Sequence, residues 1–228
     1  MSPTIFAIAF VSGLIPALFW LWFWLREDKK NPEPLFLIAA TFVAGMSVVP
    51  LALPLQKLAM EIYTDANLIW SWVIIEETLK YALAVAIILW NRAVDEPIDM
   101  VIYMITIALG FSALENALFI LTPLTVGDFL NSALTGSFRF LGATLLHVLA
   151  SGTVGVFLAF AFYKSNFMKI CYGMIGLCIA IVLHALFNFF IIKGEGTILA
   201  VFLFVWIGII MLFLVFEKVK NLEYQKSR

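Results

Sequence analysis

Charge is scarce in this chain. Of its 228 residues 13% are Asp, Glu, Lys or Arg, while 64% are apolar and the mean hydropathy is +1.05. A soluble globule carries about twice that charge and fewer apolar residues. The long uncharged runs therefore mark an integral membrane protein with little mass outside the bilayer. The formal net charge is −1 and no basic block occurs, so nothing here attracts nucleic acid. Cysteine is nearly absent. Cys171 and Cys178 stand seven apart in one apolar run, about 10 Å along a helix axis and beyond disulfide reach. No internal repeat, low-complexity tract or HExxH sequence is present, and the last absence excludes the zincin helix. Aspartate is missing from the middle of every apolar run; Asp95, Asp99 and Asp128 lie at boundaries or in loops.

What the chain does have is seven apolar runs, at about 5–25, 35–55, 68–90, 99–121, 138–163, 170–192 and 197–216. Each is long enough for a hydrocarbon core of ~30 Å at 1.5 Å rise per residue. The expected fold is all-α, a polytopic transmembrane bundle of about seven spans in one domain, 1–228, with 217–228 as a charged cytoplasmic tail. The first run is too long for a signal-peptide core and lacks a basic flank, so it reads as a retained span. Pro16 predicts a kink in it, and Pro50 and Pro54 predict a bent or broken far end of the second. Trp20, Trp22 and Trp24 before Arg26 read as an interfacial aromatic belt.

Lys and Arg are distributed unevenly. Arg26, Lys29, Lys30, Arg92, Lys164, Lys169, Lys218, Lys220, Lys226 and Arg228 fall in odd-numbered loops and the tail, against Lys57, Arg139 and Lys193 in even-numbered loops. The bias predicts an outside N-terminus and a cytoplasmic C-terminus in the cell membrane.

Rare polar residues interrupt four spans. Glu76, Glu77 and Lys80 sit within the third, Glu115 in the fourth, and the chain's two histidines, His147 and His184, in the fifth and sixth. Each buried charge costs roughly 2.5–3.5 kcal/mol at a helix centre, so an anchor would not carry them. Counted from the outer boundary, Glu77 lies about 13 Å deep, Glu115 about 9 Å, and both histidines about 12 Å. Four helices thus bring polar groups to one level in the outer half of the bilayer. His184 and Asn188 share a face, as do Phe111 and Glu115. Ala143, His147, Ser151, Gly155 and Ala159 form a stripe of small residues around a histidine, which predicts a central helix. Glu76 and Glu77 diverge by about 100°, so they cannot aim at one atom, and Lys80 can reach back to either. Ser112 and Ser151 are expected to bond to their own helices.

A carboxylate, two imidazoles and an amide around a wet pocket suit hydrolysis, with glutamate as general base for water and side-chain donors for an oxyanion. Ser151 shares His147's helix, which disfavours a serine dyad across helices. A zinc site of His147, His184 and Glu76 is stereochemically open; no other cofactor is called for. A proton-coupled transporter using the same groups and an inactive scaffold that binds membrane helices are the rival classes.

The same residues resemble the PrsW intramembrane proteases, relatives of the CAAX prenyl-protease and Abi superfamily. The likeness lies in Glu76-Glu77-Thr78-Leu79-Lys80, in Phe111 to Glu115, in the isolated His147, in His184 to Asn188, and in the Pro32-Glu33-Pro34 loop. Where the CAAX enzymes end the second motif in histidine, this chain has Glu115. The resemblance implies Glu76 as water-activating base, Glu115 or His147 helping to position water, His184 and Asn188 lining the oxyanion site, and Glu77, Lys80 and Phe111 supporting the pocket. It also implies a membrane-anchored protein substrate of anti-sigma-factor type, cut near the outer surface. The residues themselves leave open which of Glu76 and Glu77 is the base, and leave the oligomeric state unread.

Overall fold

In the computed structural model residues 2–27, 31–88, 91–194 and 196–226 are described, the last stretch with side chains to 221. Lys29, Lys30 and Arg228, which entered the charge bias, and Trp90, the expected end of the third span, lie outside them. The helices are α1 (Pro3–Leu25), α2 (Leu35–Ile62), α3 (Asp65–Ile87), α4 (Pro97–Thr125), α5 (Phe129–Phe138), α6 (Thr144–Phe160), α7 (Asn166–Lys193) and α8 (Ile198–Lys226). A π-helical turn, Arg139–Ala143, joins α5 to α6. Among the described residues there is no strand. The protein is a polytopic helical bundle.

Among the described residues six segments are long and apolar enough to cross a membrane, with α5, the π turn and α6 forming one of them over Phe129–Phe160. The seventh rod is α3. It is as long as α1 but carries Glu76, Glu77 and Lys80, all buried against the bundle. This rod, with three charges in its middle, is tolerated because they face protein and not lipid.

Helices α4 and α6 are the innermost and pack on each other, and the stripe from Ala143 to Ala159 is wholly buried. Helices α1 and α2 cover α4, while α7 and α8 cover α6. Small residues set these distances. Gly110 of α4 lies on the backbone of Phe42 in α2, and Gly45 of α2 lies on Ile107 of α4. A Cβ at either position would overlap a main-chain carbonyl, which no rotamer change relieves. Gly110→Val should therefore cost on the order of 3 kcal/mol. Thermal unfolding in detergent checks this; an unchanged midpoint would contradict the packing.

Several elements differ from the sequence expectation. Helix α2 runs unbroken through Pro50 and Pro54 to Ile62. Both prolines lie on its exposed face, where the missing backbone donor disturbs no helix contact. The rod expected to begin near Phe138 begins at Phe129. There Asp128 caps α5 by accepting from the Asn131 N–H, which holds its carboxyl below the usual range. Of the expected tryptophan belt only Trp22 faces out, with the Arg26 guanidinium 4.9 Å from its ring. Trp20 and Trp24, one turn apart, point inward at Trp206, Phe213 and Phe216 of α8. Helix α8 continues through the expected tail, and Lys220 pairs with Glu217 at 2.7 Å and Glu27 at 3.2 Å.

Candidate active site

The site is assembled from α3 outward. Glu77 turns into the bundle, where its Oε1 accepts from Lys80 Nζ at 2.6 Å and His184 Nδ1 at 2.8 Å. The Lys80 ammonium also meets His147 Nδ1 at 3.1 Å and stands 4.2 Å from the centre of the Phe111 ring. On the far side of His147, Nε2 lies 3.0 Å from Glu115 Oε2. That oxygen also receives Arg139 Nη2, whose Nε donates to Asn116 Oδ1. The two imidazoles meet edge to face at 4.9 Å. One unbroken run of polar contacts thus joins α3, α4, α6, α7 and the π turn.

Donor counting fixes the histidine tautomers. An ammonium has donors only, so His147 Nδ1 accepts from Lys80 and its Nε2–H donates to Glu115. An ionised carboxylate accepts only, so His184 Nδ1–H donates to Glu77, and in the neutral ring Nε2 then keeps the lone pair. Lys80 is fully buried, and Glu77, His147 and the Phe111 face surround its ammonium.

Glu76 points elsewhere. It stands at the wall of a cavity of about 890 Å³ lined by α2, α3, α4, α6 and α7, together with the π turn and the start of α8. Its Oε1 accepts from Gln56 Nε2 at 2.7 Å. Its Oε2 is buried without a hydrogen-bond partner and lies 3.8 Å from His184 Nε2, too far for a direct bond. A carboxylate oxygen and an imidazole lone pair therefore face each other across a gap in a cavity wall. Such a gap suits a small molecule with two protons to donate, as water has. Trp72 steadies Gln56, its Nε1–H donating to the Gln56 carbonyl at 3.2 Å.

Glu76, Glu115, His147, His184, Asn188 and Phe111 all line this cavity, and Glu77 and Lys80 lie behind its wall. Asn188 makes no hydrogen bond among the described residues, so its amide is free to serve something within. Lys80, which could have reached either glutamate, pairs with Glu77. The tightest donor group is Glu77, His147 and His184, within 4.8 Å of one another, and not the set with Glu76. Ser112 departs from its expected role: its hydroxyl bonds Thr144 of α6 at 3.1 Å and accepts from Asn116 at 3.2 Å. Ser151 Oγ is buried without a partner, so it does not bond to its own helix.

Two residues were missed by the sequence reading. Arg139, counted as a loop charge, is a helical residue whose guanidinium reaches Glu115 and stacks 4.0 Å from Phe119. The stripe of small residues, extended back by four from Ala143, lands on it. Gln56 lay one residue beyond the expected end of the second span, and no signal in the sequence marked it.

A sequence model described as PrsW family intramembrane metalloprotease matches residues 33–216. The chain belongs to the PrsW family. Its relatives include the Protease PrsW of Oceanobacillus iheyensis, 26% identical over 190 residues covering 82% of this chain and 83% of that one. The Clostridioides difficile protein of the same name is 27% identical, covering 79% and 77%, and that of Bacillus subtilis 23% identical, covering 86% and 89%. No solved structure matches. Of the classes open from the residues alone, membership in PrsW supports the multi-pass intramembrane protease.

The family's description implies a metal. Two imidazoles and a carboxylate in Glu77, His147 and His184 are the right donor types. In this PrsW chain, however, Lys80 Nζ already touches Glu77 and His147, and His147 has no lone pair left over. As they stand these residues do not fit a divalent ion.

Proposed function

We propose that this protease hydrolyses a peptide bond of a membrane-anchored protein in the 890 Å³ cavity, with Glu76 as general base. The observation that carries the reading is the unpartnered Glu76 Oε2 facing His184 Nε2 inside the cavity. Water held between them gives a proton to Glu76 while its oxygen attacks the scissile carbonyl carbon. The new C–O bond puts negative charge on the carbonyl oxygen, and the Asn188 amide donates to it. The C–N bond then breaks, and Glu76 returns the proton to the leaving amine. His184 Nε2 carries a lone pair in this tautomer, so its part is to hold water and not to donate to the oxyanion.

Glu77, Lys80 and Glu115 hold the two imidazoles and touch no reacting atom. The cavity runs from Glu76 toward Asp65 and Ile198, at the α2–α3 and α7–α8 turns. The Lys/Arg bias puts those turns outside the cell membrane, with the C-terminus in the cytoplasm. Mostly apolar walls around a few polar groups suit an extended segment at the outer end of a transmembrane helix, as in an anti-sigma-factor-like substrate.

Cleavage of a single-span reporter in proteoliposomes tests this. The expected cut lies near the outer end of the span; equal cleavage of the same sequence as a soluble peptide would contradict it. Asn188→Ala should lower kcat by about 10²–10³-fold with little change in KM. Unchanged kcat would remove Asn188 from the oxyanion role.

A further inference from the structure

We infer that Lys80 is the resident cation of this site, its ammonium standing where Glu77, His147 and His184 would otherwise hold a divalent ion. The inference deepens the glutamate reading above and rests on it, because it identifies what supplies fixed positive charge behind the water.

Three donor atoms, one each from Glu77, His147 and His184, lie within 4.8 Å of one another, a spacing that a tetrahedral ion could draw together. Two of the three residues are already engaged by one ammonium. Lys80 Nζ lies 2.6 Å from Glu77 Oε1 and 3.1 Å from His147 Nδ1, with the Phe111 ring closing its third side at 4.2 Å. Metal bonds to these atoms would be about 2.0–2.2 Å long, so an ion sharing them would sit against the ammonium, charge on charge.

The lone pairs lead to the same conclusion. Of the four ring nitrogens, His147 Nδ1 accepts from Lys80, His147 Nε2–H donates to Glu115 and His184 Nδ1–H donates to Glu77. Only His184 Nε2 keeps a free lone pair, and it faces Glu76 across the cavity. A single imidazole nitrogen is not a closed metal site.

A tethered ammonium differs from an exchangeable ion in a way that can be read. It cannot be chelated, and removing it should open the tripod. Lys80 sits on the same helix as Glu77, one turn on, so it travels with the carboxylate it neutralises.

The test uses the full-length protein in detergent, washed with EDTA and 1,10-phenanthroline and then titrated with Co²⁺. The wild type is expected to hold substoichiometric metal, to show no visible Co²⁺ band and to lose no cleavage activity to the chelators. Lys80→Ala is expected to gain a visible Co²⁺ band that Lys80→Ala/His184→Ala lacks. Stoichiometric zinc in the wild type, or cleavage lost to chelators and restored by metal, would overturn the inference while leaving the protease reading standing. These wild-type measurements decide the matter even where Lys80→Ala does not fold.

Discussion

Glu76→Gln is expected to reduce cleavage of a membrane-anchored substrate on the order of 10³-fold, while the protein inserts and purifies as the wild type does. The substitution keeps shape and burial but removes the carboxylate proposed as base. An amide can still meet Gln56, whose Nε2 donates to Glu76 Oε1 at 2.7 Å, once the new side chain presents its oxygen there. What it cannot do is take a proton from water beside His184 Nε2. Glu77→Gln is the informative control. Glu77 makes its bonds to Lys80 and His184 and lies behind the cavity wall, so it should affect the pocket through its neighbours and not through proton transfer. A Glu76→Gln rate near that of the wild type would assign water activation to another group.

Glu77→Ala should give the largest loss of stability, about 3–5 kcal/mol, because it strands the fully buried Lys80 ammonium without its carboxylate. His184 would lose the acceptor for its Nδ1–H at the same time, and with it the orientation that turns Nε2 to the cavity. Activity is therefore expected to fall together with the unfolding midpoint. The double variant Glu77→Leu/Lys80→Met should recover most of the stability, since removing both members of a buried pair is commonly far cheaper than removing one. It should recover no activity, because His184 regains no acceptor for its Nδ1–H and His147 loses Lys80. Thermal unfolding and cleavage assays on the two variants and the wild type separate these effects. A double variant no more stable than Glu77→Ala would show that the ion pair is not the source of the loss.

Much of this arrangement was legible in the sequence. Buried charge in a membrane span is costly, so Glu76, Glu77, Lys80 and Glu115 announced themselves, and the two histidines fell at the same depth. Counting residues at 1.5 Å each is enough to bring His147 and His184 level; their rings touch. Helical angles also explain why the two glutamates divide their work: one faces the cavity and the other the interior. Periodicity could not reveal the partners of those groups, which are tertiary facts. Arg139 looked like a boundary charge because the span was expected to start one residue before it, at Phe138, whereas the rod begins nine residues earlier and passes through a π turn. Gln56 was passed over because Pro50 and Pro54 appeared to end the helix, and membrane helices tolerate proline on an outward face. Trp20 and Trp24 read as interfacial because tryptophan favours headgroups; spacing by four places both on the inward face.

The link between the cavity and the inner network also follows from burial. Glu115, His147, Lys80, Glu77 and His184 form a run of hydrogen bonds with few free positions. In a low-dielectric interior such a run holds its members in place because each unmade bond is expensive. The open positions are at the cavity: Glu76 Oε2, His184 Nε2 and the Asn188 amide. Those are the atoms the proposed hydrolysis uses.

Chemical rescue of Glu76→Ala tests the central claim most directly. Truncation leaves a carboxylate-sized space in the wall of an 890 Å³ cavity, and formate can enter it. The rate of reporter cleavage by this variant should be at background without formate and rise with formate concentration, while Glu77→Ala and His184→Ala should not respond. Wild-type-like cleavage by Glu76→Ala in the absence of formate would contradict the account.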